Sequence, residues 1–313
     1  MWFKNMQIYR LVSPWAMTLE KLVEQLQRIP FQPVTGTTAI SCGWIAPRAD
    51  GDLVYAQNGH WLLRMQTEKR LLPTEVVLAD VAARAEKQAE LQGYPLGRKA
   101  LAELREQVTN DLLPTAFTTR RSTYAWIDPK NGWCVIDAGL PAKADTVVEL
   151  LRRSLDLFPL APLHTQLSPQ SAMADWLAGR DAPTGFTVDR DCELKSVAEE
   201  KAAVAFKRHP LGDEVGDEIK LHLAAGKLPT HLALTWDERI SFVLTEKMVI
   251  KRLSFLDLLK EEASQNAETA DDQFAADFAI MTGELSRFIP CLIDALGGEQ
   301  VVSAPAPAPR GAE

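Results

Sequence analysis

The feature that most constrains the fold is a hairpin signal near the middle of the sequence. Two runs rich in Thr, aromatic and β-branched residues, 117–128 and 133–138, flank a short segment that contains Asn131 and Gly132. An Asn-Gly pair supplies the positive φ values of a tight turn, so the two runs predict an antiparallel β-hairpin. Period-2 alternation then places Trp126 on one face of the hairpin and Ile127 on the other.

A pair of helices is predicted before this hairpin. Residues 75–92 are Ala-rich and helical, and residues 93–95, Gly-Tyr-Pro, interrupt them. A second helix is predicted over 97–112, where leucines and a valine recur at helical spacing. At 1.5 Å per residue each helix is on the order of 25 Å long. The apolar stripe of the first helix is thin, which favours a projecting helical hairpin completed by a partner.

These elements predict an α+β fold, with antiparallel β-hairpins and sheets, packed helices and the projecting helical hairpin. We expect a central α+β domain built from 1–72 and 113–163, with the helical hairpin tip at 73–112. A second α+β domain is expected at 164–298. Residues 299–313 form a Pro/Ala tail with nothing to pack, so disorder is expected there.

The distribution of charge matters more than its total. The chain has 313 residues and a formal charge of −8, which by itself argues against a nucleic-acid partner. However, residues 261–285 hold seven Asp and Glu and no Lys or Arg, so the rest of the chain carries only −1. A basic surface elsewhere therefore remains compatible with the composition.

The cysteines and the apolar runs indicate a cytoplasmic protein. Cys42, Cys134, Cys192 and Cys291 are far apart and form no C-x-x-C, so they are expected to be reduced core thiols. The first residues lack the apolar region of a signal peptide, and no run has the length of a membrane span. We therefore expect no membrane partner.

Common catalytic and cofactor motifs are absent. The P-loop, dinucleotide-binding, serine-hydrolase and zinc-peptidase patterns all fail, and the five histidines have no ligand spacing. No cofactor, no metal and no enzymatic activity are therefore expected. One exception is Asp189-x-Asp191-x-Glu193-x-Lys195, which contains the acid-x-Lys element in which carboxylates hold Mg²⁺ and Lys polarises phosphate. A Mg²⁺-dependent nuclease would need a further acid, with Asp175 as the candidate. Alternatively, the acids begin a helix over 193–205 and favour its positive end.

Adjacent basic residues suggest a different function. Six such pairs occur at predicted turns or element ends, where long cationic side chains can reach phosphate. They are Lys69-Arg70, Arg98-Lys99, Arg120-Arg121, Arg152-Arg153, Lys207-Arg208 and Lys251-Arg252. Acidic pairs are equally numerous, so only segregation of the two charges onto different faces would create a binding track.

Several short motifs resemble one known family. They are Trp2–Asn5, 68–73, 113–117, 126–128 with Asn131 and Gly132, 150–155, Gly185-Phe186, 193–195, 232–236, 251–253 and 277–285. In this order, over about residues 1–298, they are similar to the bacterial recombination-associated RdgC family. The resemblance implies a DNA-binding protein without known catalytic activity, in the cytoplasm and nucleoid. It further implies a ring-shaped homodimer that encircles double-stranded DNA with little sequence preference, also accepts single strands, and limits the access of the RecA recombinase.

The resemblance also implies roles for particular residues. Phe117 matches an aromatic gate at one dimer contact, and Tyr94 lies at the helical tip expected to form the other. Arg208 and His209 match a basic-polar pair near the gate, with His209 as a departure from the usual residue. With the basic pairs, the candidate DNA-binding residues are Arg98, Lys99, Arg120, Arg121, Lys207, Arg208, His209, Lys227, Lys251 and Arg252.

Overall fold

The structure is a computed structural model that describes residues 1–12, 15–48, 51–179, 182–196, 202–208, 211, 213–257, 259, 261 and 267–300. Over these residues there are twelve β-strands and seven α-helices. The strands are β1 (Gln7–Leu11), β2 (Ile40–Ile45), β3 (Val54–Gln57), β4 (His60–Arg70), β5 (Thr118–Asp128), β6 (Trp133–Ile136), β7 (Leu160–Pro162), β8 (Phe186–Ser196), β9 (Ala203–Phe206), β10 (Lys227–Trp236), β11 (Ile240–Thr245) and β12 (Ile250–Phe255). The helices are α1 (Leu19–Leu26), α2 (Thr74–Gln92), α3 (Arg98–Leu112), α4 (Pro141–Ser154), α5 (Pro169–Leu177), α6 (Asp213–Ala224) and α7 (Ala270–Ala295).

The strands form two antiparallel sheets, which confirms the predicted α+β class. The first sheet has the order β2-β4-β5-β6-β1-β7, and β3 also pairs with β4. The second has the order β12-β11-β10-β8-β9. The predicted domain boundary at 163/164 falls between the last strand of the first sheet and the first strand of the second, but the independence of the two units stays a prediction.

The central hairpin is present, and its turn is longer than an Asn-Gly turn. Of the turn residues, Gly132 has the positive φ, 73°. The Asp128 carboxylate closes the turn by accepting hydrogen bonds from the backbone N–H of Asn131 at 3.0 Å and from its side-chain amide at 2.7 Å. Strand alternation is as predicted: Trp126 enters one core cluster and Ile127 the other.

The second sheet corrects one prediction. No helix begins at Glu193, because β8 runs unbroken from Phe186 to Ser196 and pairs with both β10 and β9. Cys192 and Leu194 are buried, whereas the acids alternate with them on the opposite face. Buried and outward residues therefore alternate every two residues, as in a half-buried strand, whereas a helix repeats every 3.6 residues.

A shared core joins the two sheets through α7. Phe278, Met281 and Phe288 of this helix belong to a cluster that also contains Trp126 of the first sheet and Leu234 of the second. The opposite face of the first sheet is covered by α1 and α4, which contribute a separate cluster. Each face of the first sheet therefore packs against at least one helix.

Backbone hydrogen bonds also connect the sheets. Met6 and Ile250 exchange N–H···O bonds of 2.8 and 2.9 Å, and the N–H of Leu253 donates to the carbonyl of Lys4 at 2.8 Å. The segment 4–6, just before β1, thus pairs with β12 of the second sheet.

The predicted helical hairpin is present as α2 and α3. Gly93 ends α2 with a φ of 80°, and its N–H donates to the carbonyl of Ala89 at 2.8 Å. The two helices bury a small cluster of their own, Val77, Val81, Leu104 and Val108. None of the helices in the described chain combines the length and apolarity that a bilayer crossing requires.

The cysteines follow the prediction only in part. All four are free thiols, and Cys134 and Cys192 are buried, which raises the pKa of each to about 12. Cys42 is half-buried, and Cys291 is exposed rather than part of the core. The predicted tail at 299–313 is described only at its start, where Glu299 pairs with Thr165. Residues 301–313 lie outside the described residues.

The edge of the first sheet depends on a close backbone approach at Gly43. A Cβ at this position would lie 2.4 Å from the Cα of Phe31, because the backbone of 29–31 pairs alongside Trp44. We predict that Gly43→Ala lowers the free energy of unfolding by about 2 kcal/mol or more, since the backbone must shift. Denaturant unfolding measures this effect.

Gly283→Ala is the matched control. Gly283 is exposed within α7 and nothing surrounds its added Cβ, so alanine should stabilise the chain by about 0.5–1 kcal/mol. Equal stability of the Gly43→Ala variant and the original chain would contradict the packing described here.

Candidate functional site

A cleft of about 320 Å³ opens on the outward face of the second sheet. Three cations, Lys207, Lys251 and Arg252, line it together with two carboxylates, Asp191 and Glu193. These five residues come from β8, β12 and the end of β9, which are distant in sequence. The sheet therefore gathers onto one surface the groups that the sequence presents separately.

Strand alternation places the acids at the cleft. Because Cys192 and Leu194 point into the core, their neighbours Asp191, Glu193 and Lys195 point outward from β8. Strand β9 pairs with the same part of β8 and carries Lys207 directly after its last residue.

Asp191 is held by two arginines. One carboxylate oxygen accepts a hydrogen bond from the backbone N–H of Arg208 at 2.9 Å, and the other lies 3.1 Å from Nη1 of Arg252. The bond from Arg208 has the largest effect on the pKa of Asp191, and the Arg252 guanidinium adds to it against the opposing effect of burial. The pKa of Asp191 is consequently lowered, and the carboxylate is charged at neutral pH.

Glu193 is held by the ammonium of Lys195 and lies beside the imidazole of His231. Burial alone would raise the pKa of Glu193, but the ammonium of Lys195 at 3.0 Å and the nearby charges of Lys195 and His231 lower it overall. His231 lies 3.6 Å from Glu193, and its Nε2 is 3.5 Å from Nζ of Lys251. Burial has the largest effect on the pKa of His231 and lowers it.

The predicted third acid of a nuclease site does not join this cluster. Asp175 lies on α5, whose Met173 and Trp176 pack in the core on the side of the sheet that Cys192 and Leu194 enter. Asp191 points to the other side. Across the described part of the chain, no three His, Cys, Asp or Glu side chains are grouped as a metal site.

Arg120 and Arg121 have different environments on the first sheet. Nε of Arg120 lies 2.8 Å from the buried carboxylate of Glu68, and its guanidinium lies over the ring of Phe31. Glu68 also accepts a hydrogen bond from the backbone N–H of Val34 at 2.7 Å. Arg120 is thus held by an ion pair although its side chain is 58% exposed, and Arg121, also exposed, points to the opposite face.

The remaining predicted cations are dispersed. Arg98 and Lys99 are exposed at the start of α3, and the side chain of Lys99 is 93% exposed. Nζ of Lys227 lies 2.9 Å from Nδ1 of His222, away from the cleft. His209 lies outside the described residues. Of the ten predicted positions, Lys207, Lys251 and Arg252 line the cleft and Arg208 lies at its edge.

The two predicted dimer-contact residues are exposed apolar side chains. Phe117 is 86% exposed and Tyr94 is 64% exposed. The backbone of Phe117 is fixed, because its carbonyl accepts a hydrogen bond from the N–H of Leu71 at 2.7 Å at the base of the helical hairpin. Its ring is therefore presented to solvent from a hydrogen-bonded backbone position.

Two lining residues with polar side chains that can bind a ligand, an amide and an imidazole, were not predicted. Asn5 reaches the cleft from the segment that joins the sheets, and its N–H is fixed by the Asp137 carboxylate at 2.9 Å. His231 arrives from β10. No local sequence signal indicated either residue, because both positions depend on how separate strands pair.

Comparison with known proteins gives a consistent family match. The profile of a family described as "Putative exonuclease, RdgC" matches residues 1–299. A protein of Dechloromonas aromatica (strain RCB), named recombination-associated protein RdgC, is 64% identical over 301 residues, covering 96% of this chain and 99% of that protein. Proteins of the same name from Janthinobacterium sp. (strain Marseille) and Herminiimonas arsenicoxydans are each 49% identical, again over 96% of this chain and 99% of theirs.

Proposed function

Because the chain belongs to the RdgC family of recombination-associated proteins, we propose that it binds double-stranded DNA without sequence preference. As a ring-shaped homodimer it encircles the duplex and modulates homologous recombination by limiting the access of RecA. It also accepts single-stranded DNA, and it acts in the cytoplasm at the nucleoid. The observation that carries DNA binding is the cleft on the second sheet, where Lys207, Lys251 and Arg252 lie on one surface.

The chemistry of the cleft suits backbone phosphate. Lysine ammonium groups and an arginine guanidinium bind phosphate oxygens on any sequence, since the phosphates carry no base information. Asp191 is paired with Arg252 and Glu193 with Lys195, so the charges of both carboxylates are balanced within the protein. Affinity then comes mainly from counterion release and falls steeply with salt.

The structure also changes how the acidic segment 261–285 bears on this proposal. Asp271 pairs with Arg48 at 2.5 Å, and Glu284 pairs with Arg239 at 2.8 Å and also with Arg287. Asp277 pairs with the amino group of Met1. Several acids of this segment are therefore neutralised locally by cations within the fold, so the segment repels DNA less than seven unpaired acids would.

The proposed dimer uses two contacts, one at Phe117 and one at the helical tip with Tyr94. Both side chains are apolar and exposed, and large exposed apolar groups are common anchors of interfaces. The tip is offered by α2 and α3, which bury only their own small cluster. Two separated contacts would close a ring around a central hole.

For DNA binding, we predict a uniform loss of affinity when Lys207 and Lys251 are both changed to Ala. Binding to two unrelated duplexes of equal length should weaken alike, by about tenfold at moderate salt, on the scale of one surface ionic contact per lysine. The slope of log K against log salt should become shallower by about 0.9 for each phosphate that a lysine no longer neutralises. Fluorescence anisotropy over a salt series gives both values.

The matched control removes the same charge elsewhere. Lys21 on α1 and Lys130 in the hairpin turn do not line the cleft, so changing both to Ala should leave the slope unchanged. An equal loss with both double variants would contradict binding at the cleft. A loss confined to one DNA sequence would indicate base readout.

A Mg²⁺-dependent nuclease is the second candidate. Asp191, Glu193 and Lys195 do lie together on one strand face, and the family description names an exonuclease. Because both carboxylates are engaged by cations, we predict that supercoiled and linear plasmid incubated with Mg²⁺ is retarded in a gel but stays intact. Cleavage that Glu193→Gln abolishes would favour the nuclease.

For the dimer, we predict that Phe117→Ser weakens self-association by roughly thirtyfold, since a buried aromatic anchor contributes about 2 kcal/mol. Sedimentation equilibrium measures the dissociation constant. Leu157→Ser is the control, because Leu157 is also exposed, at 65%, and has no proposed contact. Unchanged association of the Phe117→Ser variant would remove Phe117 from the interface.

A further inference from the structure

Two arginines at the rim of the cleft have an unusual backbone. Arg208 has a φ of 58° and Arg252 a φ of 51°. Residues with side chains rarely adopt this left-handed region, and they persist there only where the surrounding structure holds them. Of the non-glycine residues with positive φ in the described chain, Arg252 alone lies within a strand.

The cause at Arg252 is a β-bulge. On the pair β11–β12, Ser241 lies opposite Ser254 and Val243 opposite Lys251, so Arg252 and Leu253 together face the single residue Phe242. A bulge of this kind bends the strand and redirects a side chain. Here it directs the guanidinium of Arg252 across the sheet towards β8.

Asp191 on β8 engages both arginines. Its two oxygens hold the backbone N–H of Arg208 and the Arg252 guanidinium, so one carboxylate fixes both left-handed positions. The Arg252 side chain is still 68% exposed, whereas that of Asp191 is 26% exposed. One nitrogen of Arg252 is thus anchored, while most of the guanidinium stays open to solvent beside Lys207 and Lys251.

We propose that Asp191 is a positioning residue that holds Arg252 and the Arg208 backbone at the rim of the cleft, where they receive a phosphodiester group of the DNA backbone. Arginine is rich in rotamers, and fixing it before binding removes part of the entropy lost in the complex. Its planar fork suits phosphate oxygens. This role rests on the proposed function, because it names how the same cleft meets its ligand.

The direction of the change in DNA affinity when Asp191 is removed distinguishes the positioning role from electrostatic repulsion. A carboxylate beside the DNA backbone repels phosphate, so removing an ordinary acid near the cleft strengthens binding or leaves it unchanged. Removing a positioning acid weakens binding although the protein becomes more positive.

Asp189→Ala provides the matched control for Asp191→Ala. Asp189 lies two residues away on the same strand, β8, but its carboxylate accepts a hydrogen bond from the Thr235 hydroxyl at 2.8 Å. Anisotropy with a fluorescent duplex should show Asp189→Ala binding as tightly as the original chain or more tightly. Asp191→Ala should bind about threefold to tenfold more weakly, the cost of immobilising one long side chain. Equal or tighter binding by both variants overturns the proposal.

A double-variant cycle adds a readout that general destabilisation does not move. Glycine accepts the φ of Arg252 without strain, so Arg252→Gly removes the guanidinium and keeps the bulge. In that background the further loss on Asp191→Ala should shrink, because the residue it positions is gone. Undiminished loss would show that Asp191 acts by another route and would overturn the proposal.

Thermal unfolding establishes that each variant is folded. If Asp191→Ala does not fold, Asp191→Asn replaces it, because asparagine keeps an acceptor for the Arg208 N–H. Asp191→Asn should then bind the duplex more weakly than the original chain, and Asp189→Asn should bind it as tightly or more tightly. Failure of the unsubstituted chain to bind any duplex would overturn the proposed function, and this role with it. Binding by that chain, with tightening by both aspartate variants, would overturn the positioning role alone.

Discussion

The backbone pairing between segment 4–6 and strand β12 determines where the site lies. Its hydrogen bonds involve Ile250 and Leu253, which are the residues on either side of Lys251 and Arg252. The two cations are therefore held between fixed points of the backbone, and the bulge at Arg252 is accommodated within that interval. The same segment carries Asn5 into the cleft. The backbone pairing that joins the two sheets therefore also shapes the site.

Elements with strong local signals could be predicted from the sequence. The Asn131-Gly132 pair indicated the central hairpin, and Gly93 correctly marked the end of α2. These signals work because a turn with positive φ is decided by a few adjacent residues. Strand β8 was predicted wrongly beyond Val188, although its alternation of Cys192 and Leu194 with acids already had a period of two. Acids are also common at helix starts, and that preference favoured the wrong element.

The composition of the cleft could be predicted only in part. Lys207, Lys251 and Arg252 were candidates because paired cations suggested phosphate contacts, but nothing local showed that they would meet. Arg120 fits the same pattern and instead forms an ion pair with Glu68. The roles of such residues depend on strand register, and register is set by pairing between distant segments. Asn5 and the bulge at Arg252 have the same non-local origin.

The small core of the helical hairpin formed by α2 and α3 has a consequence for its local stability. Only four buried apolar side chains, Val77, Val81, Leu104 and Val108, form the cluster that holds α2 against α3 in the described structure, whereas the sheets share a core many times larger. Regions with few buried contacts open at lower free energy than the rest of a protein, as separate cooperative units. We therefore expect the amide hydrogens of α2 and α3 to exchange faster than those of the two described sheets. In the proposed ring, local opening of this hairpin would loosen one dimer contact while both sheets stayed folded.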